Sequence, residues 1–99
     1  MKKSLLFEAK LWLYPGESGN WHFVSVPKLE STKWREEYKG KHRGWNSIKV
    51  EVVIGKTKWQ TSIFFDTRSG QYILPIKAKV RKVEGLFAQD AIKVKLKII

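Results

Sequence analysis

The chain has 99 residues, 42% of them hydrophobic, and its 20 Lys and Arg against 9 Asp and Glu give a formal net charge of +11. This apolar content excludes a disordered tail, and the length fits one domain over residues 1–99. The lack of cysteine excludes disulfides and thiolate metal sites, and no apolar run approaches the roughly 20 residues of a membrane span. The positive charge indicates either a polyanionic partner, such as nucleic acid, an anionic lipid surface or a phosphorylated small molecule, or a Lys-rich surface with no dedicated partner.

The N-terminal segment has the alternation of a half-buried strand. Its odd positions from Leu5 to Leu13 are apolar, and residues 15–20, PGESGN, are typical of a turn. Residues 21–26, WHFVSV, indicate a returning strand, so we expect a hairpin. The apolar stretch at residues 5–7 is too short for a signal peptide, which favours a cytoplasmic protein.

The next segment, STKWREEYKG, predicts a short helix over residues 31–40. Ser31 or Thr32 can cap its first turn, and Gly40 suits the left-handed position after its end. Residues 47–54, SIKVEVVI, then alternate as a strand, and Gly55 and Lys56 turn the chain into a second strand.

The second half ends in a helix and a strand. DTRSG predicts a turn after Phe65, QYIL a short strand, and Pro75 the first turn of a helix that runs to Glu84 and Gly85. Residues 91–98, AIKVKLKI, predict a last strand with its lysines facing outward.

Several landmarks occur twice in the same order, at separations of 51, 48, 46, 45 and 44 residues. Strands made of Ile, Val and Lys resemble one another by chance, but an ordered series favours a duplication, with pseudo-repeats at about 11–54 and 59–99. We therefore expect a mainly β, single-chain barrel of two strand-helix-strand units with two short capping helices. The landmarks are Ser18-Gly19 and Ser69-Gly70, Pro27 and Pro75, Arg35 and Arg81, Gly40 and Gly85, and Ile48 and Ile92.

The motifs IGKTKWQTSIF, YILPIKAKVRKVEGL and IKVKLKI, preceded by LWLYPGESGNWHFVSVP and GWNSIKVEVVIG, resemble an uncharacterised prokaryotic family. That family, a domain of unknown function, occurs alone or joined to an OmpD-associated bacteriocin-protection domain. The resemblance covers nearly the whole chain. It implies a double-split β-barrel, the fold type of the AbrB and MazE transcription factors and antitoxins, and it implies no activity.

The stretch LPIKAKVRKVEGLFAQDAIKV is also similar to the AbrB-type run of Pro, helix with Arg, Gly, and then Gly-Asp before a strand. Gln89 stands where the Gly of that Gly-Asp would stand, and Asp90 is retained. We therefore expect the turn to survive with altered geometry.

Catalytic signals are weak throughout the sequence. His22 and His42 form no metal-spaced pair, and we expect both to be structural. A Ser/His/Asp set can be assembled from Ser62, His22 and Asp66, but no GxSxG elbow or glycine-rich phosphate loop accompanies it. The sequence favours a non-enzymatic protein with no catalytic residue, metal or cofactor.

The helix after Pro75 offers one candidate ligand site. Lys77 and Arg81 stand one turn apart, with Ser62 as a hydrogen-bond donor and Trp59 as a stacking surface. The simpler interpretation is an amphipathic helix, with Glu84 partly neutralising the cations, and a Trp59 that belongs to the core. In that interpretation Ile76, Val80 and Val83 dock on the barrel.

The segment KGKHRGW offers a second candidate, for nucleic-acid contact. Lys39, Lys41 and Arg43 could hold a phosphate backbone while Trp45 stacks on a base, or the segment could be an ordinary solvated loop. The leading hypothesis is a small basic module that binds an anionic partner such as nucleic acid. The alternatives are a small-molecule anion pocket, with or without catalysis, around Trp59, Ser62, Lys77 and Arg81, and a protein-interaction module. The sequence leaves the oligomeric state open and is consistent with a monomer.

Overall fold

The computed structural model of the chain describes residues 3–15, 21–38 and 47–99. Within these ranges no helix is long and apolar enough to span a membrane. The predicted strands at residues 47–54 and 91–98 are confirmed with the same bounds. The elements that these ranges form are β1 (Ser4–Lys10), β2 (Trp12–Leu13), β3 (His22–Ser25), α1 (Lys28–Tyr38), β4 (Ser47–Ile54), β5 (Thr57–Asp66), β6 (Gln71–Pro75), α2 (Ala78–Glu84) and β7 (Ala91–Ile98).

The strands form one antiparallel sheet in the order β1-β7-β4-β5-β6-β3-β2. Its two terminal strands, β1 and β2, are separated along the chain by Leu11 alone. The Leu11 side chain is fully buried, and its backbone N–H donates to the Asp90 carbonyl at 2.9 Å. Because one continuous stretch of chain supplies both ends of the order, the sheet curls into a half-barrel around the core.

The concave face of this sheet holds the hydrophobic core. Strict alternation in β4 and β7 points every second side chain inward, as predicted, and leaves Lys49, Lys93 and Lys95 exposed on the convex face. Leu13 is an exception to the predicted pattern, because it is exposed at the end of β2. The buried residues of these two strands are Ile48, Val50, Val52, Ile54, Ile92, Val94, Leu96 and Ile98.

Helix α1 begins earlier than predicted, directly after Pro27. The Ser31 N–H donates to the Pro27 carbonyl at 2.9 Å, so Ser31 lies inside the helix, and the prediction of Ser31 or Thr32 as its cap is wrong. The buried Ser31 hydroxyl instead donates to the Val26 carbonyl at 3.1 Å and accepts from the Tyr72 N–H at 2.9 Å. This serine therefore connects α1 to β6, a tertiary role that local spacing does not reveal.

Helix α2 begins later than predicted. Pro75 is the last residue of β6, opposite Phe23, and the Ile76 N–H continues this pairing by donating to the His22 carbonyl at 2.9 Å. The N-cap residue, Lys77, is extended and makes no side-chain capping bond. The predicted end is confirmed, because Gly85 has a φ of 66° and its N–H donates to the Arg81 carbonyl.

The segment between α2 and β7 places Gln89 in the left-handed region, with a φ of 80°. The Gln89 N–H donates to the Leu11 carbonyl at 2.7 Å, and the Asp90 carboxylate accepts from the Phe87 N–H at 2.8 Å. The turn therefore keeps the backbone conformation that suits glycine, although a side chain occupies this position.

Candidate anion-binding groove along α2

The structure does not bring the four residues of the first candidate site together. Trp59 and Ser62 point to opposite faces of β5, because they stand three positions apart and side chains alternate between the faces of a strand. Trp59 is half-buried and packs against the core, whereas Ser62 faces outward opposite Lys49. The residues of the second candidate, Lys39, Lys41, Arg43 and Trp45, lie outside the described residues, as does His42.

Lys77 and Arg81 do share a cavity, of about 330 Å³. It lies where α2 passes the first residues of β3, because β3 pairs with β6 and the chain enters α2 directly after β6. The sequence predicts only a structural role for His22 and gives Trp21 no role beyond its strand. The residues around this cavity are Trp21, His22, Pro75, Ile76, Lys77, Ala78 and Arg81.

A second cavity, of about 370 Å³, continues the first along α2. His22, Ala78 and Arg81 line both cavities, so together they form one continuous depression, which we name the α2 groove. Besides these three shared residues, the second cavity is lined by Lys82, Gly85, Leu86, Phe87 and Ala88.

The charge of the α2 groove is positive. Lys77, Arg81 and Lys82 line it, and no Asp or Glu is among its described lining residues. The Arg81 Nε donates to the Ile76 carbonyl at 3.1 Å, which fixes the guanidinium group along the groove wall. Phosphate and carboxylate groups are the ligands that such a set of donors prefers.

Glu84 does not neutralise these cations as the sequence predicts. Its carboxylate accepts from the Thr57 hydroxyl at 2.6 Å and from the Lys56 N–H at 3.3 Å, so it faces the turn between β4 and β5. A Cβ atom added at Gly55 would approach Glu84 Oε1 to 2.1 Å, so glycine leaves room for this contact. Glu84 therefore ties the end of α2 to the sheet.

The apolar face of α2 also differs from the prediction at one position. Ile76 and Val80 are buried against the barrel, but Val83 is 66% exposed. Glu84 occupies the side of the helix that meets the sheet near its end, so Val83 turns toward solvent.

An exposed aromatic ring stands at each end of the α2 groove. Trp21 is 56% exposed and lines the first cavity, and Phe87 is 73% exposed and lines the second. In the structure both rings lie outside the regular elements, Trp21 directly before β3 and Phe87 between α2 and β7. The sequence predicts Trp21 as part of a strand, and the one available signal is Phe87, an aromatic residue between predicted elements, where binding residues are common.

Residues 7–96 match the family described as "Domain of unknown function (DUF1905)". The chain belongs to this family. The resemblance to an uncharacterised family is thereby confirmed, and the comparison with curated proteins finds no match. Every residue of the α2 groove lies inside the DUF1905 match.

The groove of this DUF1905 domain is suited to anions and not to cations. Among the residues that the structure describes, no three His, Asp or Glu side chains form a group that could hold a metal ion. The groove offers ammonium, guanidinium and imidazole groups between two aromatic rings. This combination can hold phosphate oxygens and stack against flat rings.

Proposed function

We propose that this DUF1905 domain is a small nucleic-acid-binding module and that the α2 groove contacts the phosphate backbone. The observation that carries the proposal is the grouping of Lys77, Arg81 and Lys82 along a groove with no described carboxylate in its lining. Contacts of this kind supply affinity without base specificity and weaken steeply as salt rises.

The charge outside the groove supports the same proposal. The net charge of +11 attracts a polyanion over distances of about a Debye length, roughly 10 Å at 0.1 M salt. Lys49, Lys93 and Lys95 are exposed on the convex face and extend the positive field. The basic segment with Lys39, Lys41 and Arg43 remains a sequence-based candidate for additional phosphate contacts.

We also infer that the half-barrel is a duplicated, double-split barrel of the AbrB type. Two strand pairs support the duplication. Ser25 lies opposite Ile73, at the 48-residue spacing of the two prolines, and Val52 lies opposite Leu96, at the 44-residue spacing of the last strands. A residue that faces its own counterpart marks the point where a twofold axis crosses an antiparallel pair.

The outer strands support the same twofold relation. One shift of 54 positions relates β1 and β2 to β5. The first repeat therefore includes β1 and begins earlier than position 11. With this shift for the outer strands, and shifts of 44 and 48 positions for their partners, the pair Glu8–Lys93 matches Ser62–Lys49, and the pair Trp12–Phe23 matches Asp66–Gln71.

The test of the proposed function is fluorescence anisotropy of labelled single-stranded DNA, double-stranded DNA and RNA at about 50 mM and about 200 mM salt. We expect binding at the lower salt and a large loss at the higher. Lys77→Glu should weaken binding much more than Lys79→Glu, because Lys79 is exposed on the same helix but does not line the groove. Absence of binding at the lower salt would contradict the proposal.

A phosphorylated small molecule is the second candidate ligand for the same groove. Each of its two cavities, about 330 Å³ and about 370 Å³, has the size of a small-ligand pocket. In this case nucleoside phosphates or sugar phosphates should raise the melting temperature, and no oligonucleotide should bind more tightly than they do.

A further inference from the structure

Aromatic side chains form a cluster on the convex face of the sheet, where β2, β3, β6 and β5 lie side by side. The ring centroids of Trp12 and Phe23 are 5.3 Å apart, and those of Tyr14 and Phe23 are 5.7 Å apart. Trp21 stacks on Phe23 at 6.1 Å with an angle of 12° between the rings. The register explains the cluster, since Trp12 lies opposite Phe23 on neighbouring strands.

This cluster surrounds a depression of about 360 Å³, which we name the aromatic hollow. Three of its rings face solvent, with Trp21 56%, Phe64 45% and Tyr14 38% exposed. Its described lining contains no charged residue, and an exposed apolar patch of this kind is a common mark of a binding surface. The residues that line it are Tyr14, Trp21, Phe23, Phe64 and Ile73.

The aromatic hollow and the α2 groove adjoin at one residue. Trp21 lines both, so its ring stands at the boundary between the cationic groove and the hollow. At another ring of the hollow, the Arg68 guanidinium lies over Tyr14, 5.3 Å from the ring centroid. A ligand that fits both depressions therefore combines negative charges with flat apolar rings.

We infer that the α2 groove and the aromatic hollow form one extended site for single-stranded nucleic acid, with phosphates in the groove and a nucleobase stacked in the hollow. This inference rests on the proposed function. A single strand meets both requirements, because its bases are free to stack on protein rings. A duplex keeps its bases stacked and paired inside, and it could use the cations but not the hollow.

The test compares three 12-nucleotide probes: oligothymidylate, a fully abasic strand with the same phosphates, and a DNA duplex. Phe64→Leu removes a ring that lines the hollow but not the groove, and it keeps an apolar side chain on β5. We expect it to weaken oligothymidylate binding by about 5- to 150-fold, the effect of losing one stacked base, and to leave abasic-strand binding unchanged. Phe64→Trp should retain binding of oligothymidylate.

Leu6→Ala is the matched control, because Leu6 is a large exposed residue on the convex face that does not line the hollow. It should change the binding of none of the probes. Melting temperatures of all variants, measured in parallel, identify any variant that fails to fold. If Phe64→Leu does not fold, Tyr14→Leu, which removes another ring of the hollow, replaces it.

The outcomes separate this inference from the proposed function. If Phe64→Leu changes the binding of the two single strands equally, or if the duplex binds as tightly as oligothymidylate, base stacking in the hollow is overturned. The proposed function still holds in that case, provided that Lys77→Glu weakens every probe. If no probe binds to the native protein, both proposals fail.

Discussion

The two helices pack against the same curled sheet, but their polar and cationic side chains are used in different ways. On α1 the buried Ser31 hydroxyl bridges to β6, and the Arg35 guanidinium lies 4.4 Å from the centroid of the Phe65 ring. On α2 the side chain of Arg81 lines an open groove with Lys77 and Lys82.

The cause of this difference lies in the strand beside each helix. Next to α1, Phe65 and Tyr72 pack edge to face at 5.2 Å, and Arg35 covers the Phe65 ring. Next to α2, His22 and Trp21 border a depression that no large side chain of the described residues fills. The α1 end is thus closed by packing, and binding is expected at the α2 end.

The largest predicted effect is on the free energy of unfolding, and it differs between an apolar residue of α1 and one of α2. Trp34 on α1 is buried in the core, so Trp34→Ala should lower the free energy of unfolding by about 3–5 kcal/mol. Val83→Ala on α2 should change it by less than about 0.5 kcal/mol, because Val83 is exposed. Urea denaturation of both variants measures the difference, and equal losses would contradict the packing described here.

A smaller effect is expected at the polar contact of α1. Ser31→Ala leaves the buried Tyr72 N–H without its acceptor, which should cost about 1–3 kcal/mol of unfolding free energy. Thr32→Ala on the same helix is the control, because Thr32 is exposed, and it should have little effect. A neutral Ser31→Ala would show that the hydroxyl does not hold α1 to β6.

At the α2 end, Gln89→Gly should increase stability by about 1 kcal/mol, since glycine adopts the left-handed conformation without the steric cost of a side chain. Ala88→Gly, one residue earlier, should give no increase, because Ala88 has no positive φ. Thermal unfolding of the two variants distinguishes relief of strain from a general effect of glycine.

The smallest effect is expected at high pH. Burial raises the pKa of Tyr72 above its ordinary value of 10.0, although Arg35 acts in the opposite direction. The unfolded chain therefore loses this proton first, and the contribution of Tyr72 to stability, complete below pH 10.0, decreases as pH rises through the folded-state pKa. Stability measured from pH 8 to about 11 should fall less steeply in Tyr72→Phe than in the native protein, and identical slopes would contradict the shift.

The sequence predicts the regular strands well and the helix starts poorly. The alternation in β4 and β7 is strict, so their bounds follow from the pattern alone. The role of Ser31 depends on β6, and the place of Pro75 depends on its pairing with Phe23. These long-range contacts are not visible in local spacing.

The sequence predicts only part of the candidate site, because the rest depends on long-range strand pairing. The spacing of Lys77 and Arg81 identifies two cations of the groove, because one helical turn places them side by side. Trp21 and His22 reach the groove only through the pairing of β3 with β6. Residue type alone favours a site that combines Trp59 with Ser62, but their positions on β5 put them on opposite faces.

The most direct test of the central claim is the salt dependence of oligothymidylate binding in the double variant Lys77→Glu/Lys82→Glu, compared with Lys79→Glu. Each lost phosphate contact should reduce the slope of log affinity against log salt by about 0.7 for a single strand. We predict a clearly shallower slope and weaker binding in the double variant, and a nearly unchanged slope in the control. Equal slopes in the two proteins would contradict a phosphate-binding groove along α2.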